Sequence, residues 1–89
     1  MFEWDDDKNK KNIEKHGVSF ETARLVFDDP ARLTLFDEGH SQTEDRYYCI
    51  GKVNGGIMTV RFVLRDTTVR IIGAGYWRGG KKRYEKERN

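Results

Sequence analysis

The sequence predicts an α+β domain in the order β-α-α-β-β-β-β-α, with a mainly antiparallel sheet and helices packed on one face. Two observations carry this. Between residues 46 and 74, three strand-length runs of alternating apolar and polar residues follow one another, separated by short turn signals. Two capped helix patterns precede these runs and a basic helical stretch follows them. With 89 residues, 36% of them hydrophobic, the chain is expected to form a single domain over residues 1–89 with one modest core. A domain of this size buries only ~60–65% of its unfolded surface.

Phe2-Glu3-Trp4 reads as a short opening strand. Asp5, Asp6 and Asp7 are good cap and first-turn residues for a helix over Lys8–Lys15, which Gly17 stops. Asn9 and Asn12 weaken that helix, and Ile13 is its one strong apolar anchor, so it needs tertiary support. Ser19 caps a second helix with Phe20, Ala23 and Phe27 on one stripe, and Asp29-Pro30 ends it. Arg32–Phe36 alternates as a strand, and the polar run Asp37–Glu44 is a loop. Arg46–Val53 and Ile57–Arg65 flank the hairpin signal Asn54-Gly55-Gly56. Asp66-Thr67 is a weaker turn before the strand Thr68–Ala74. An irregular segment with Tyr76, Trp77 and Arg78 leads to a helix over Lys81–Arg88.

Alternation through these turns sorts the three long strands into two faces. One face holds Tyr47, Cys49, Met58, Val60, Phe62, Leu64, Val69 and Ile71, and is the core side under the helices. The other holds Arg46, Tyr48, Thr59, Arg61, Arg65, Thr68 and Arg70, with Ile50, Val63 and Ile72 among them. A one-residue slip would drive the arginines into the core, so the register is strongly specified. Trp4 and Phe20 read as core.

The formal net charge of +2 hides an asymmetry. Residues 1–45 carry six basic and twelve acidic side chains, whereas residues 46–89 carry eleven and three. Four arginines on one sheet face, with no acid on the same strands, repel one another and call for something anionic. Arginine's planar fork suits phosphate, and Tyr48, Tyr76 and Trp77 are placed to stack bases. The pattern points to nucleic acid. No apolar run approaches the ~18 residues of a membrane span, and the acidic N-terminus is no signal peptide. The one cysteine, Cys49, reads as an inert small hydrophobe and supports neither a disulfide nor a zinc cage. A cytoplasmic protein without metal or cofactor is expected.

The chain also resembles the BrnT toxins of bacterial type II toxin–antitoxin systems. The residues that carry this are Phe2-Glu3-Trp4-Asp5, Lys8, Asn12, Lys15-His16-Gly17-Val18-Ser19-Phe20 and Ala23, then Arg46, Ile50-Gly51, Arg65, Arg70-Ile71-Ile72 and Tyr84-Glu85. The resemblance implies a RelE-like fold and a metal-independent endoribonuclease (an mRNA interferase) that blocks translation by cutting RNA. It also implies a small BrnA-like, ribbon-helix-helix antitoxin, a toxin–antitoxin heterotetramer, and operator DNA contacted only through the antitoxin. The chain departs from the family pattern after Arg-Ile-Ile. Where Ser-Ala-Arg is usual it has Gly73-Ala74-Gly75, followed by Tyr76-Trp77-Arg78. If the usual arginine holds the scissile phosphate, Arg78 or Lys81 must take its place.

Metal-free RNA cleavage turns the 2′-OH into the nucleophile and needs a base, an acid and cations at the phosphate. Arg46, Arg65 and Arg70 are candidate clamps. His16, Glu44 and Tyr84 are candidates for proton transfer, His16 because an imidazole exchanges protons near neutrality. Lys15, Arg61, Arg78, Lys81 and Lys82 would follow the RNA backbone, with Tyr76 and Trp77 under its bases. Plainer roles fit some of these. His16 could close the first helix at its C-terminal end, Tyr84 could pack, Glu44 could be a strand-edge charge and Trp77 a core plug. Two further readings stay open: an RNA- or ribosome-binding module with weakened or lost chemistry, and a protein whose arginine face mainly holds its antitoxin.

Overall fold

In the computed structural model, which describes residues 1–40 and 43–88, a five-stranded sheet organises the chain. The elements are β1 (Phe2–Glu3), α1 (Asp6–His16), α2 (Phe20–Ala23), β2 (Leu33–Phe36), β3 (Arg46–Val53), β4 (Gly56–Arg65), β5 (Thr68–Gly75) and α3 (Arg78–Glu87). Short 3₁₀ segments, Arg24–Asp28 and Glu38–His40, follow α2 and β2. The sheet order is β1-β5-β4-β3-β2. β1 runs parallel to β5, and the other neighbours are antiparallel.

The turn residues act as their chemistry requires. Asn54 and Gly55 both have positive φ, at 50° and 84°, which is the backbone of a tight two-residue hairpin. Val53 therefore faces Gly56, and the register follows: Tyr48 opposite Arg61, Ile50 opposite Thr59. Asp66, at φ 56°, turns β4 into β5. Asp5 caps α1 by accepting from the backbone N–H groups of Asp7 and Lys8, and Gly17 ends it in the left-handed region at φ 70°. Ser19 accepts from the Thr22 N–H and starts α2.

α1, α2 and the 3₁₀ turn after it lie against one sheet face. Its buried side chains include Phe20, Val26, Cys49, Met58, Val60 and Ile71. Tyr47, Phe62 and Val69 also join this side, as the alternation predicts. Leu64 does not: it lies two residues before the Asp66-Thr67 turn and is 47% exposed. Ile13 is likewise no anchor for α1, being 44% exposed. Asparagines hold that helix instead. Asn12 is buried and its carboxamide bonds the Val18 and Ala74 carbonyls, while Asn9 accepts from the Phe20 N–H.

The helices do not share one face. α3 packs on the opposite side of the sheet, where Tyr84 joins Ile50 and Ile57 in a second cluster edged by Ala31, Leu33 and Leu35. The reason lies in what this face carries near the Asn54-Gly55 hairpin. There its residues are Ile50, Ile57 and Thr59, not arginines, and Gly80 lets the helix backbone settle on Thr59. The arginine face is therefore half covered, by α3, at one end.

A second departure is a bulge in β5. Phe62 pairs with Ile71 but Arg61 pairs with Gly73, so Ile72 is an extra residue. Beyond it the faces exchange. Ala74 enters the core, and Gly73 and Gly75 turn toward the arginine side.

Candidate functional site

Cross-strand rows define the arginine face. Arg46, Val63 and Arg70 form one row, Tyr48, Arg61 and Gly73 the next, and Ile50, Thr59 and Gly75 the one under α3. Arg65 lies beyond them, opposite Thr68. The four arginines do share a face, yet their surroundings differ. Arg70 meets Glu3 of β1 at 2.8 Å, and Arg65 meets Glu44 at 3.5 Å. Part of the expected anion is thus supplied by the chain itself, from elements the strand pattern left out. These partners are at least partly exposed, so the pairs add little stability.

Arg61 is placed differently. Its guanidinium lies over the Trp77 ring, 5.5 Å from the centroid, and against the backbone of Gly73. A Cβ at position 73 would stand 2.6 Å from Arg61 Nη2, and one at position 75 only 2.5 Å from Trp77 Cε2. Gly73 and Gly75 are therefore the floor on which Arg61 and Trp77 lie. Arg61 Nε is buried without a hydrogen-bond partner, and among the described residues no carboxylate pairs with this guanidinium.

The same cluster gathers α1. The His16 ring meets Trp77 edge-on at 5.2 Å between centroids. His16 and Arg61 line a cleft of about 240 Å³ together with Lys8, Lys11, Lys15 and Ile72. The sequence singled out Lys15, His16, Arg61 and Trp77 as candidates but not Lys8 and Lys11, which line the same cleft. The signal was present: residues 8, 11 and 15 are spaced i, i+3, i+7, one face of a helix.

Trp77 also walls a groove of about 750 Å³ at the start of α3, lined by Lys52, Tyr76, Arg78, Lys81 and Lys82 among others. Arg78, Lys81 and Lys82 are exposed there. Tyr76, 47% exposed, has its hydroxyl 3.4 Å from the Val53 carbonyl oxygen.

Other candidates stand apart. Tyr84 is 5% exposed and donates its hydroxyl to Asp29 Oδ2 at 2.6 Å. It packs at the Ile50–Ile57 end of the face, four residues along β3 from Arg46. Asp29 also accepts from the backbone N–H groups of Lys52 and Ala31. The Tyr84 hydroxyl, then the Lys52 N–H, hold the Asp29 carboxyl below the usual carboxylate range, and the same bond raises the Tyr84 phenol. Glu44 and Arg65 pair at the opposite end, and Arg46 is half-buried. Burial pushes the Cys49 thiol up, consistent with an inert side chain. Among the described residues, no three His, Cys, Asp or Glu side chains are grouped to hold a metal ion, and no helix is long and apolar enough to cross a membrane.

Fold and site together define a small α+β domain that collects guanidinium, ammonium and indole groups around one end of a sheet. The chain belongs to the BrnT family: the family model described as the ribonuclease toxin, BrnT, of type II toxin–antitoxin systems matches residues 4–79. Membership makes it a ribonuclease toxin with an antitoxin partner. No curated protein matches the chain significantly.

Proposed function

We propose that the chain is a metal-independent endoribonuclease that cuts RNA, inhibits translation and is neutralised by a BrnA-like, ribbon-helix-helix antitoxin in the cytoplasm. Its domain spans residues 1–89, and DNA contact comes only through the antitoxin. One observation carries the reading: Arg61, with no carboxylate partner among the described residues, lies between Gly73 and Trp77 beside His16 and three α1 lysines. A guanidinium in this place can meet charge that develops on a phosphate.

In this reading a 2′-OH attacks the adjacent phosphorus, the P–O5′ bond breaks, and a 2′,3′-cyclic phosphate and a 5′-OH result. His16 takes the proton of the attacking 2′-OH and returns it to the departing O5′, Arg61 holds the non-bridging oxygens, and Lys8, Lys11 and Lys15 guide the strand. Arg78, Lys81 and Lys82 hold a neighbouring stretch of backbone in the α3 groove, where Tyr76 offers a stacking face. Arg46, Arg65 and Arg70 serve as outer phosphate contacts. Glu44 and Tyr84 have structural duties here, Glu44 toward Arg65 and Tyr84 toward Asp29. A second reading is favoured by the Arg70–Glu3 and Arg65–Glu44 pairs: this end of the face takes carboxylates, so an acidic antitoxin segment would dock there.

Purified protein incubated with labelled RNA in EDTA tests the main reading. Fragments ending in 2′,3′-cyclic phosphate are expected. Absence of cleavage at every salt concentration would sink it.

A further inference from the structure

Three contacts meet at the Trp77 indole. The Arg61 guanidinium lies over the ring, 5.5 Å from its centroid, and the His16 ring meets it edge-on at 5.2 Å. The Gly75 backbone lies against it: an added Cβ would stand 2.5 Å from Cε2 and 2.6 Å from Nε1. The backbone that carries the indole is fixed on both sides. Gly75, paired with Thr59, closes β5, and the Trp77 carbonyl accepts from the Lys81 N–H at the opening of α3. The two side chains that the indole touches have little else to hold them. Among the described residues, no hydrogen bond or ion pair fixes the His16 imidazole or the Arg61 guanidinium, whose Nε is buried without a partner. They also come from different elements, α1 and β4, so neither element alone sets the distance between them.

We propose that Trp77 is a positioning residue, whose indole sets the His16 imidazole and the Arg61 guanidinium in their working places relative to each other. A proton-transfer group is ordinarily oriented by a third group that hydrogen-bonds to it. Here a ring does this by contact, and the difference has a chemical use. Ring contacts orient without consuming hydrogen bonds, so the imidazole nitrogens stay open to the 2′-OH and the O5′, and the guanidinium keeps its donors for phosphate oxygens. A carboxylate in the same place would compete with the phosphate for Arg61. Stacking of a base on Trp77 would instead need an open ring face. Tyr76, 47% exposed, offers one, whereas Trp77 is partly buried among Gly75, Arg61 and His16. The inference rests on the ribonuclease reading for the chemistry, but the ordering of the two side chains can be measured without cleavage.

The experiment compares Trp77→Leu and Trp77→Phe with wild type in the intact protein. It measures urea melts, affinity for a single-stranded RNA, single-turnover cleavage at saturating RNA, and NMR order parameters of the His16 ring and the Arg61 Nε–H. Trp77→Leu should slow the saturating rate about 10- to 100-fold, the scale of a ~1 Å misplacement, and change RNA affinity less than about threefold. Trp77→Phe keeps a ring and should recover most of the rate. The losses should not multiply: Trp77→Leu combined with His16→Ala should be about as slow as His16→Ala alone. Both side chains should be ordered in wild type, mobile in Trp77→Leu and intermediate in Trp77→Phe. The phenylalanine variant keeps the test intact if Trp77→Leu fails to fold. A weaker affinity at an unchanged saturating rate would make Trp77 a base platform and overturn the proposal. So would losses that multiply with that of His16→Ala, or order parameters that the substitutions leave unchanged. Ordering that depends on Trp77 in a protein that cleaves no RNA upholds the placement and overturns the ribonuclease reading. Cleavage with ordering indifferent to Trp77 does the reverse.

Discussion

The carboxamide of Asn12 closes both backbone polar groups of Ala74, 62 residues away: its Nδ2 donates to the Ala74 oxygen at 2.9 Å and its Oδ1 accepts from the Ala74 N–H at 3.3 Å. A third bond, to the Val18 oxygen at 2.8 Å, ties the end of α1 to the start of α2. Helix α1 has few apolar residues to bury, so these bonds hold the lysine face and His16 against β5. Asn12→Leu should strand all three backbone partners in a buried place. The expected loss is about 2–4 kcal/mol, read as a lower urea midpoint at unchanged m-value.

Gly73 and Gly75 offer a contrast between a flexible and a rigid neighbour. At 73 an added methyl meets the end of the Arg61 side chain, which can swing away. Gly73→Ala should therefore change stability by less than about 1 kcal/mol while weakening RNA cleavage. At 75 the methyl meets the Trp77 indole, which is already packed against His16 and Arg61. Gly75→Ala should cost about 1–3 kcal/mol and alter tryptophan fluorescence. Denaturation curves and cleavage rates on the same two variants check both halves.

Much of this arrangement was legible in the sequence. The strand faces followed from Asn54-Gly55 and Asp66-Thr67, because alternation is rigid once the turns are placed. The cap Asp5 and the stop Gly17 of α1 were marked, although the helix begins at Asp6 and not at Lys8. What escaped was whatever depends on packing across elements. Nothing in the alternation of Thr68–Ala74 announces an extra residue at Ile72, and that bulge is what turns Gly73 and Gly75 toward Arg61 and Trp77. The side chosen by α3 rests on Gly80 and Tyr84 meeting Thr59, Ile50 and Ile57, a match between distant segments. Tyr84 and Asp29 are 55 residues apart and neither marks the other out in the sequence.

The Asp29 bond makes stability depend on pH. The Tyr84 hydroxyl and the Lys52 N–H favour the carboxylate, so the folded-state pKa lies below the unfolded one. That stabilisation is present above the unfolded value, near ~4, and is lost as pH falls through the folded value. Asp29→Asn should lower the melting temperature at pH 7 and flatten the acid limb below about pH 4. Tyr84→Phe should shrink the same limb. Thermal melts from pH 2 to 7 decide this, and parallel curves for wild type and Asp29→Asn would refute it.

The arginines should not be equal in catalysis. Arg65 and Arg70 already hold carboxylates of the chain, at 3.5 and 2.8 Å, whereas among the described residues Arg61 has none. Arg61→Ala should slow RNA cleavage by about 10²-fold or more, the scale of losing one preorganised charge stabiliser. Arg61→Lys should recover little, because a lysine offers no planar fork to phosphate. Arg65→Ala and Arg70→Ala should cost less and act mainly on binding. They should reduce the salt dependence of RNA affinity rather than the single-turnover rate. If Arg65→Ala slowed the single-turnover rate as much as Arg61→Ala, the clamp would include Arg65 and the Arg61–Trp77 contact would be structural. Urea melts on each variant separate these losses from unfolding, since the partly buried Arg61 belongs to neither core cluster.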